Sequence, residues 1–243
     1  GVDPQIWDPR HDPVLPQAYG AEDAPAGKRA AKAVLQRRLG LTAGSVAPLL
    51  GAVSRLTPQK GLDLLLACLP AIVSAGNQLA LLGSGDGDLE HGFASAAEAH
   101  QRQIAVEIGY DEALSHLIIA GCDVILVPSR FEPCGLTQLY GLRYGSLPLV
   151  RRVGGLADTV VDATSVSLAE DRATGFAFGG DSPQAFSSAI ARAAALYREP
   201  VIWLRMMRRA MAQDFSWESA ARQYLTVYRE VRPDAFTSIS SAE

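Results

Sequence analysis

Cysteine and histidine are scarce in this 243-residue chain. Its three cysteines, Cys68, Cys122 and Cys134, are an odd number without C-x-x-C spacing, and its four histidines lie far apart in the sequence. A disulfide framework shows an even, patterned set of cysteines, and a zinc site shows closely spaced Cys or His pairs. We therefore expect neither of them here.

The chain also lacks an excess of basic residues and any long apolar run. Its 22 lysines and arginines against 26 aspartates and glutamates give a formal net charge of −4, which argues against a nucleic-acid partner. No apolar run approaches the ~20 residues that a membrane span needs. The composition that remains, 48% hydrophobic and 20% charged residues, is typical of a globular protein with a full core.

Short apolar runs alternate with amphipathic helical patterns from residue 49 onwards. Such alternation predicts an α/β fold, a doubly wound parallel sheet with helices on both faces and right-handed connections. The predicted strands are 49–53, 78–82, 103–108, 123–127, 147–150 and about 175–178. The predicted helices are 61–75, about 87–99, 111–120, 135–145, 155–163, 183–198, 201–212 and a last one over 217–231.

The segment SRFEPCGLTQLYGLRYG, residues 129–145, carries the strongest functional signal. It follows an apolar run that reads as a buried parallel strand, and its second half has helical spacing. A strand, a sharp polar turn and a helix in this order aim backbone N–H groups at the crevice above the sheet, which suits an anion such as a diphosphate. Glu132 lies in that turn. An isolated acidic loop residue is most often only solvated, so whether Glu132 has a functional role depends on the other segments at the same edge of the sheet.

A second strand-to-helix segment, VSRLTPQKGLD at 53–63, places two cations at the same edge of the predicted sheet. Arg55 and Lys60 flank the turn. Negative charge develops on the oxygens of a diphosphate as it departs, and two cations at the carboxyl end of a parallel strand match that requirement. Taken alone, the two residues are equally well explained as an ordinary exposed pair.

A weaker signal closes the second predicted strand, where Gly83, Ser84, Gly85 and Asp86 follow one another. A lone G-x-G more often marks a tight turn than a nucleotide site, but its position at the carboxyl end of a strand makes the two readings comparable. We therefore count Gly83 among the candidate nucleotide-binding residues.

Taken together, these segments resemble the C-terminal domain of bacterial glycogen synthases and the related plant starch synthases. The resemblance runs from Gly1 to about Val231, and it also rests on residues 108–145, on RRVGGLADTVVD at 151–162 and on DFSW at 214–217. Members of this family are retaining glycosyltransferases with the two-domain GT-B fold, and they use ADP-glucose. The resemblance therefore implies the donor-binding half of a glucosyltransferase that extends a 1,4-α-glucan.

The resemblance also implies roles for the candidate residues. Arg55 and Lys60 would neutralise the diphosphate, Glu132 would hold a glucose hydroxyl, and Tyr110 would lie against the adenine ring. The donors to the distal phosphate would be the N–H groups of Cys134, Gly135, Leu136 and Thr137, with the Thr137 hydroxyl. Gly154 and Gly155 would form a turn near the sugar, although glycines there equally suit helix packing. No metal or cofactor is expected, because two cations and a helix N-terminus supply what a divalent ion would.

One position departs from the wider superfamily of retaining GT-B enzymes. Many of them carry a second glutamate eight residues after the first, and this chain has Tyr140 there. With one carboxylate in the motif, a double displacement finds no nucleophile on the opposite face of the sugar. The family implies retention by front-side attack instead, with the leaving phosphate accepting the proton of the acceptor.

The ends of the chain give the predicted organisation. Gly1 is not a methionine, and GVDPQIWDP resembles the linker that leaves the N-terminal domain in this family, so we expect a fragment of a protein about twice as long. Residues 1–48 are predicted as linker and surface helix, 28–39 being the helix. Residues 49–231 are predicted as the nucleotide-sugar domain and 232–243 as a disordered tail.

Two other readings stay open at this stage. The chain could be a nucleotide-binding module without turnover, or a sibling GT-B transferase that uses UDP-glucose. The expected partners are ADP-glucose or ADP, an α-glucan acceptor and the missing N-terminal domain, and the expected location is the cytoplasm.

Overall fold

A computed structural model describes residues 1–232, and nearly all of the predicted tail lies outside them. Its centre is one sheet of six parallel strands in the order β3-β2-β1-β4-β5-β6. The strands are β1 Leu49–Val53, β2 Gln78–Gly83, β3 Ile104–Ile108, β4 Val124–Val127, β5 Leu147–Arg151 and β6 Phe176–Phe178. The predicted α/β fold and all six predicted strands are therefore confirmed.

Ten α-helices and one 3-10 turn, Pro58–Lys60, surround the sheet in the described part of the chain. The helices are α1 Ala24–Arg38, α2 Leu62–Ser74, α3 Gly87–Ala99, α4 Glu112–Gly121, α5 Thr137–Tyr144, α6 Gly154–Thr159, α7 Ser165–Ala169, α8 Pro183–Tyr197, α9 Pro200–Met211 and α10 Trp217–Val231. Four of them differ from prediction by more than one residue. Helix α1 begins four residues before the predicted 28–39, and α6 ends at Thr159 rather than at 163. Helix α5 begins two residues late because Gly135 has a left-handed φ of 75°, and the unpredicted α7 begins at a capping box on Thr164.

The strand order explains where a ligand can bind. Strands β1 and β4 are central neighbours, and Leu50 pairs with Leu79 on one side and with Val124 on the other. The chain moves outwards from β1 to β2 and β3, then returns through α4 to β4 on the other side of β1. Loops that leave β1 and β4 therefore diverge and open a crevice at the carboxyl edge of the sheet. The two predicted motif segments are these two loops.

Residues before β1 are more tightly integrated than the sequence predicted. One face of α1 is buried, including Lys28, whose Nζ donates to Ala120 O at 2.8 Å, Cys122 O at 2.9 Å and Ser146 Oγ at 2.5 Å. Burial lowers the pKa of Lys28 to about 8. Three acceptors satisfy all three N–H donors of the ammonium group. The basic composition of α1 predicted a surface helix, but this lysine joins α1 to the end of α4 and the start of β5.

A second buried polar group lies in the segment predicted as a linker. The Asp12 side chain is fully buried, and its Oδ2 accepts hydrogen bonds from the Tyr144 hydroxyl and pairs with His116 Nδ1, both at 2.7 Å. Burial alone would raise the pKa of Asp12, but the hydrogen bonds from His116, Tyr144 and the Val14 N–H together lower it. The carboxylate form is therefore favoured in the folded state.

We predict that Asp12→Asn lowers the free energy of unfolding by about 2–4 kcal/mol, because it leaves buried partners of a carboxylate unsatisfied. The wild-type advantage is present above the ordinary pKa of 3.8 and is lost as the pH falls through the lower folded value. Urea titrations between pH 7 and pH 3 measure both effects. The control is Asp3→Asn, which removes an exposed carboxylate that caps only the Gln5 N–H; an equal loss in both variants would contradict the prediction.

Candidate functional site

A cleft of about 290 Å³ opens at the carboxyl ends of β1 and β2. Four of the predicted site residues line it, namely Arg55, Gly83, Tyr110 and Thr137. They come from the loops after β1 and β3, from the last residue of β2 and from the first turn of α5. The structure therefore brings these four residues together around one cleft, and their functional roles stay predictions.

Arg55 and Tyr110 present free groups to this cleft. Arg55 is exposed, and no carboxylate among residues 1–232 forms an ion pair with it. The Tyr110 side chain stands at the rim with 86% of its surface exposed, and it follows Gly109, whose φ is 139°. A cation without a counter-ion and an aromatic ring without a covering residue are groups that a ligand can use.

Gly83 allows the ends of β1 and β2 to approach each other. A Cβ placed on Gly83 would lie 1.9 Å from the carbonyl oxygen of Ser54, which also lines the cleft. Any side chain at 83 would therefore push this wall of the cleft apart. The structure favours a packing role for Gly83, in addition to its position in the cleft wall.

Lys60 and Glu132 form an ion pair, although they lie 72 residues apart in the sequence. Lys60 Nζ lies 2.5 Å from Glu132 Oε2, and the Ser129 hydroxyl donates to the same oxygen at 3.1 Å. Both side chains are mostly buried, with 20% and 12% of their surfaces exposed. The structure thus brings two predicted catalytic residues together at the carboxyl edge of the sheet, outside the set of residues that line the cleft wall.

The loop from Glu132 to Thr137 is fixed by the buried side chain of Gln138. Its Nε2 donates to Cys134 O at 2.9 Å and to Gly135 O at 3.0 Å. These carbonyl groups point inward, while the side chains of Cys134 and Leu136 are exposed. The first N–H groups of α5 have no acceptor within the helix. Because Thr137 lines the cleft, this helix N-terminus provides a favourable position for an anion.

Gly154 and Gly155 support the backbone of Glu132 from behind. Gly154 has a φ of 44°, and a Cβ there would lie 2.2 Å from Glu132 O. The Gly155 N–H donates to the same carbonyl at 3.1 Å. The geometry supports the packing reading of these glycines, since the start of α6 packs directly against the loop that carries Glu132. Their position near the sugar stays a prediction.

Two aromatic residues that the site prediction omitted line the cleft. The indole of Trp7 stacks on Tyr140 at 3.7 Å and on His116 at 3.9 Å between ring centroids, with interplanar angles of 8° and 15°. Two rings this close to one indole must lie on its opposite faces. Trp7 belongs to the segment predicted as a linker, and Tyr140 stands where the wider superfamily has an acid. The one sequence feature that could have revealed this was the large aromatic side chain of Trp7 in a segment predicted to be a linker.

Residues 1–232 contain neither a candidate metal cluster nor a candidate membrane-spanning helix. No group of three or more His, Cys, Asp or Glu side chains is placed to hold a metal ion. No helix in this range is long and apolar enough to cross a membrane. The absence of a metal requirement remains a prediction.

Comparison with known proteins agrees with this geometry. A family model described as Glycosyl transferases group 1 matches residues 43–203. The chain belongs to this family. Within it, the glycogen synthase of Serratia proteamaculans (strain 568) is 53% identical over 231 residues, which cover 95% of this chain and 48% of that protein. The glycogen synthase of Yersinia pestis (strain Pestoides F) is 54% identical over the same extent.

This glycosyltransferase chain is also similar to solved structures. The catalytic domain of starch synthase IV from Arabidopsis thaliana, bound to ADP and acarbose, matches 95% of the chain with 37% identity and a TM-score of 0.87. Sucrose-phosphate synthase from Thermosynechococcus elongatus matches with a TM-score of 0.58 at 24% identity, which shows a shared fold only. The predicted resemblance to the C-terminal domain of glycogen and starch synthases is confirmed, and the chain spans about half the length of the curated relatives it matches.

Proposed function

We propose that this chain is the donor-binding half of an enzyme that transfers glucose from ADP-glucose to the non-reducing end of a 1,4-α-glucan, with retention of configuration. The observation that carries the proposal is the arrangement at the carboxyl edge of the sheet. There the Lys60–Glu132 pair accompanies a cleft that contains Arg55 and the N-terminus of α5. The similarity to glycogen synthases and to an ADP-bound starch synthase supports the identity of the donor.

The diphosphate would bind where positive charge is concentrated. Arg55 has no acid partner among the described residues, and the helix N-terminus beside Thr137 adds backbone N–H donors. The Lys60 ammonium group, now paired with Glu132, would also interact with the phosphate oxygens as the bond to glucose lengthens. Fixed cations of this kind stabilise a leaving diphosphate most strongly in the transition state, when its negative charge is greatest.

Glu132 would then act on the sugar. Its carboxylate is held by Lys60 and Ser129, and its carbonyl is held by Gly155, so its position is fixed before the donor arrives. Once the diphosphate competes for Lys60, the carboxylate is free to accept a hydrogen bond from a glucose hydroxyl and to balance positive charge at the anomeric carbon.

Front-side attack is the mechanism proposed for retention. Tyr140 occupies the position of a second acid, and its ring is stacked on Trp7. A double displacement needs a second carboxylate about 5 Å away across the sugar, and the motif supplies one carboxylate. The acceptor hydroxyl would attack on the face that the diphosphate leaves, and a phosphate oxygen would take its proton.

Calorimetric titration of this chain with ADP, UDP and ADP-glucose tests the proposal directly. We expect ADP and ADP-glucose to bind, and UDP to bind more weakly. Equal or tighter binding of UDP would favour the sibling transferase that uses UDP-glucose. A folded chain that binds none of the three at millimolar concentration would contradict the proposal.

For the ring at the rim of the cleft, we predict that Tyr110→Ala weakens ADP binding by about 1 kcal/mol, or roughly fivefold, because stacking on the base is lost. Tyr110→Phe keeps the ring and should bind ADP as the unsubstituted chain does. Inorganic diphosphate is the matched ligand control, since it has no base and its affinity should not change. Unchanged ADP affinity in Tyr110→Ala would show that the base binds elsewhere.

The partner of this half would be a second domain of the same enzyme. Helix α10 supports this because its apolar side chains Trp217, Tyr224, Leu225 and Tyr228 are exposed. An apolar face of this kind indicates a surface that is covered in the whole protein.

The glucan acceptor would bind between the two domains, and a cytoplasmic location is part of the same proposal. A nucleotide-binding module without turnover is the second candidate, favoured by the half-length match to the relatives.

A further inference from the structure

Arg130 lies at the centre of the carboxyl edge of the sheet and contacts three loops. Its guanidinium forms a bidentate ion pair with Asp63, at 2.5 Å and 2.8 Å, and donates to Pro58 O at 2.5 Å. Its Nε donates to Asp181 Oδ2 at 3.0 Å. The partners belong to the loop after β1, the first turn of α2 and the loop after β6, and Arg130 itself follows β4.

These contacts enclose Lys60 on both sides. Pro58 precedes Lys60 by two residues and Asp63 follows it by three, so one side chain holds the short turn that carries the lysine at both its ends. Arg130 in turn stands two residues before Glu132. The hydrogen bond from Arg130 is the main cause that lowers the pKa of Asp63, which keeps this carboxylate charged.

Gln59 adds a second connection between the same two loops. The Arg130 N–H donates to Gln59 O at 2.9 Å, and Gln59 Nε2 donates to Phe131 O at 2.6 Å. The backbone next to Glu132 is therefore tied to the backbone next to Lys60. Single ion pairs that are partly exposed contribute little to stability, but a forked guanidinium that makes several directed bonds restricts the loops that it joins.

We propose that Arg130 is a positioning residue that fixes Lys60 relative to Glu132 and so prepares the diphosphate site. This inference rests on the proposed function. Arg130 is not placed against the donor itself, since its guanidinium is already bound to two carboxylates and a carbonyl. Its effect on ligand binding must therefore pass through Lys60. A displacement of about 1 Å of a charged group is enough to weaken a preorganised site substantially.

The test is a double-mutant cycle on ADP binding, measured by calorimetry with this chain. Arg130→Gln should weaken ADP binding about tenfold in the unsubstituted background and less than about twofold in a Lys60→Ala background, because the group it positions is then absent. Adenosine has no phosphate, so its affinity should be the same in Arg130→Gln and in the unsubstituted chain. Arg130→Lys keeps the charge but not the fork and should fall between the two.

The control is Arg192→Gln. Arg192 also joins a carboxylate to backbone carbonyls, through Asp162 Oδ1 and Ala177 O, both at 2.9 Å, and it contacts neither of the two loops. ADP affinity should not change in this variant. If Arg130→Gln fails to fold, as judged by circular dichroism, Asp63→Asn takes its place, because it removes the same ion pair from the other side. Its ADP affinity is then compared in the unsubstituted and Lys60→Ala backgrounds in the same way.

Two results would overturn the positioning role. One is an equal loss of ADP affinity in both backgrounds, which would show that Arg130 acts independently of Lys60. The other is no loss in either background. In both cases the unsubstituted chain still binds ADP, so the proposed function stands. Failure of the unsubstituted chain to bind ADP would overturn the proposed function and this inference together.

Discussion

Replacing Lys60 or Arg55 by alanine should lower kcat/KM of the full-length enzyme by at least about a hundredfold, on the scale of ~2.7–4 kcal/mol for a lost charge-stabilising group. Lys60→Ala should have the larger effect. It removes a cation from the diphosphate and also leaves Glu132 with only the Ser129 hydroxyl as a side-chain partner. Arg55→Ala removes a cation that has no internal counter-ion in the described chain, so Glu132 is not disturbed.

The measurement is the initial rate of glucose transfer from ADP-glucose to glycogen as the donor concentration is varied. Arg172→Ala is the control, because it removes an arginine whose carboxylate partner is Glu170 and which does not line the cleft. Its kcat/KM should equal that of the wild type. A loss of less than tenfold in both Arg55→Ala and Lys60→Ala would remove these residues from the diphosphate site.

The chain by itself should bind ADP and transfer no glucose. The residues proposed to hold the nucleotide all lie at strand ends, in loops or at a helix start around this one sheet, so we expect binding without any other domain. Transfer also requires an acceptor, and in the proposed enzyme the acceptor site would include a second domain. Without closure of that domain, water also has access to the sugar, and the affinity for the donor should be lower than in the whole enzyme.

Labelled ADP-glucose and glycogen, incubated with the purified chain, give the rate of incorporation, and calorimetry on the same sample gives the affinity for ADP. The matched control is the full-length enzyme at equal concentration, in which both should be measurable. Robust incorporation by the chain alone would contradict the prediction. A folded chain that does not bind ADP would also contradict it, and would count against the assigned nucleotide site.

The elements of the sheet were predictable because their signals are local. The runs 49–53 and 124–127 are continuously apolar, as strands buried on both faces are. The site residues that follow them, Arg55 and Glu132, could be assigned to one edge because the carboxyl ends of parallel strands lie together. Thr137 and Tyr110 followed from the same argument combined with the family resemblance.

The remaining parts depend on partners far away in the sequence. Nothing near Lys60 predicts that it pairs with Glu132, or that Arg130 holds both ends of its turn. Asp12 and Trp7 have no neighbours in sequence that explain them, since their partners His116, Tyr144 and Tyr140 are more than a hundred residues away. Proline, glycine and aspartate made this segment resemble a linker, whereas long-range burial gives it a fixed structure.

The anchoring of Trp7, Asp12 and Lys28 determines where this polypeptide can be cut and rejoined with a homologue. A chimera with its junction at residue 48 would take the stacked indole, the buried carboxylate and the buried lysine of α1 from one parent, and their partners from the other. The contacts of Trp7 and Asp12, and the bond from Lys28 to the Ser146 hydroxyl, would then depend on matched side chains from two different genes. The unit that can be exchanged intact begins upstream of Trp7, so a residue that lines the cleft is inherited together with the segment in front of the sheet.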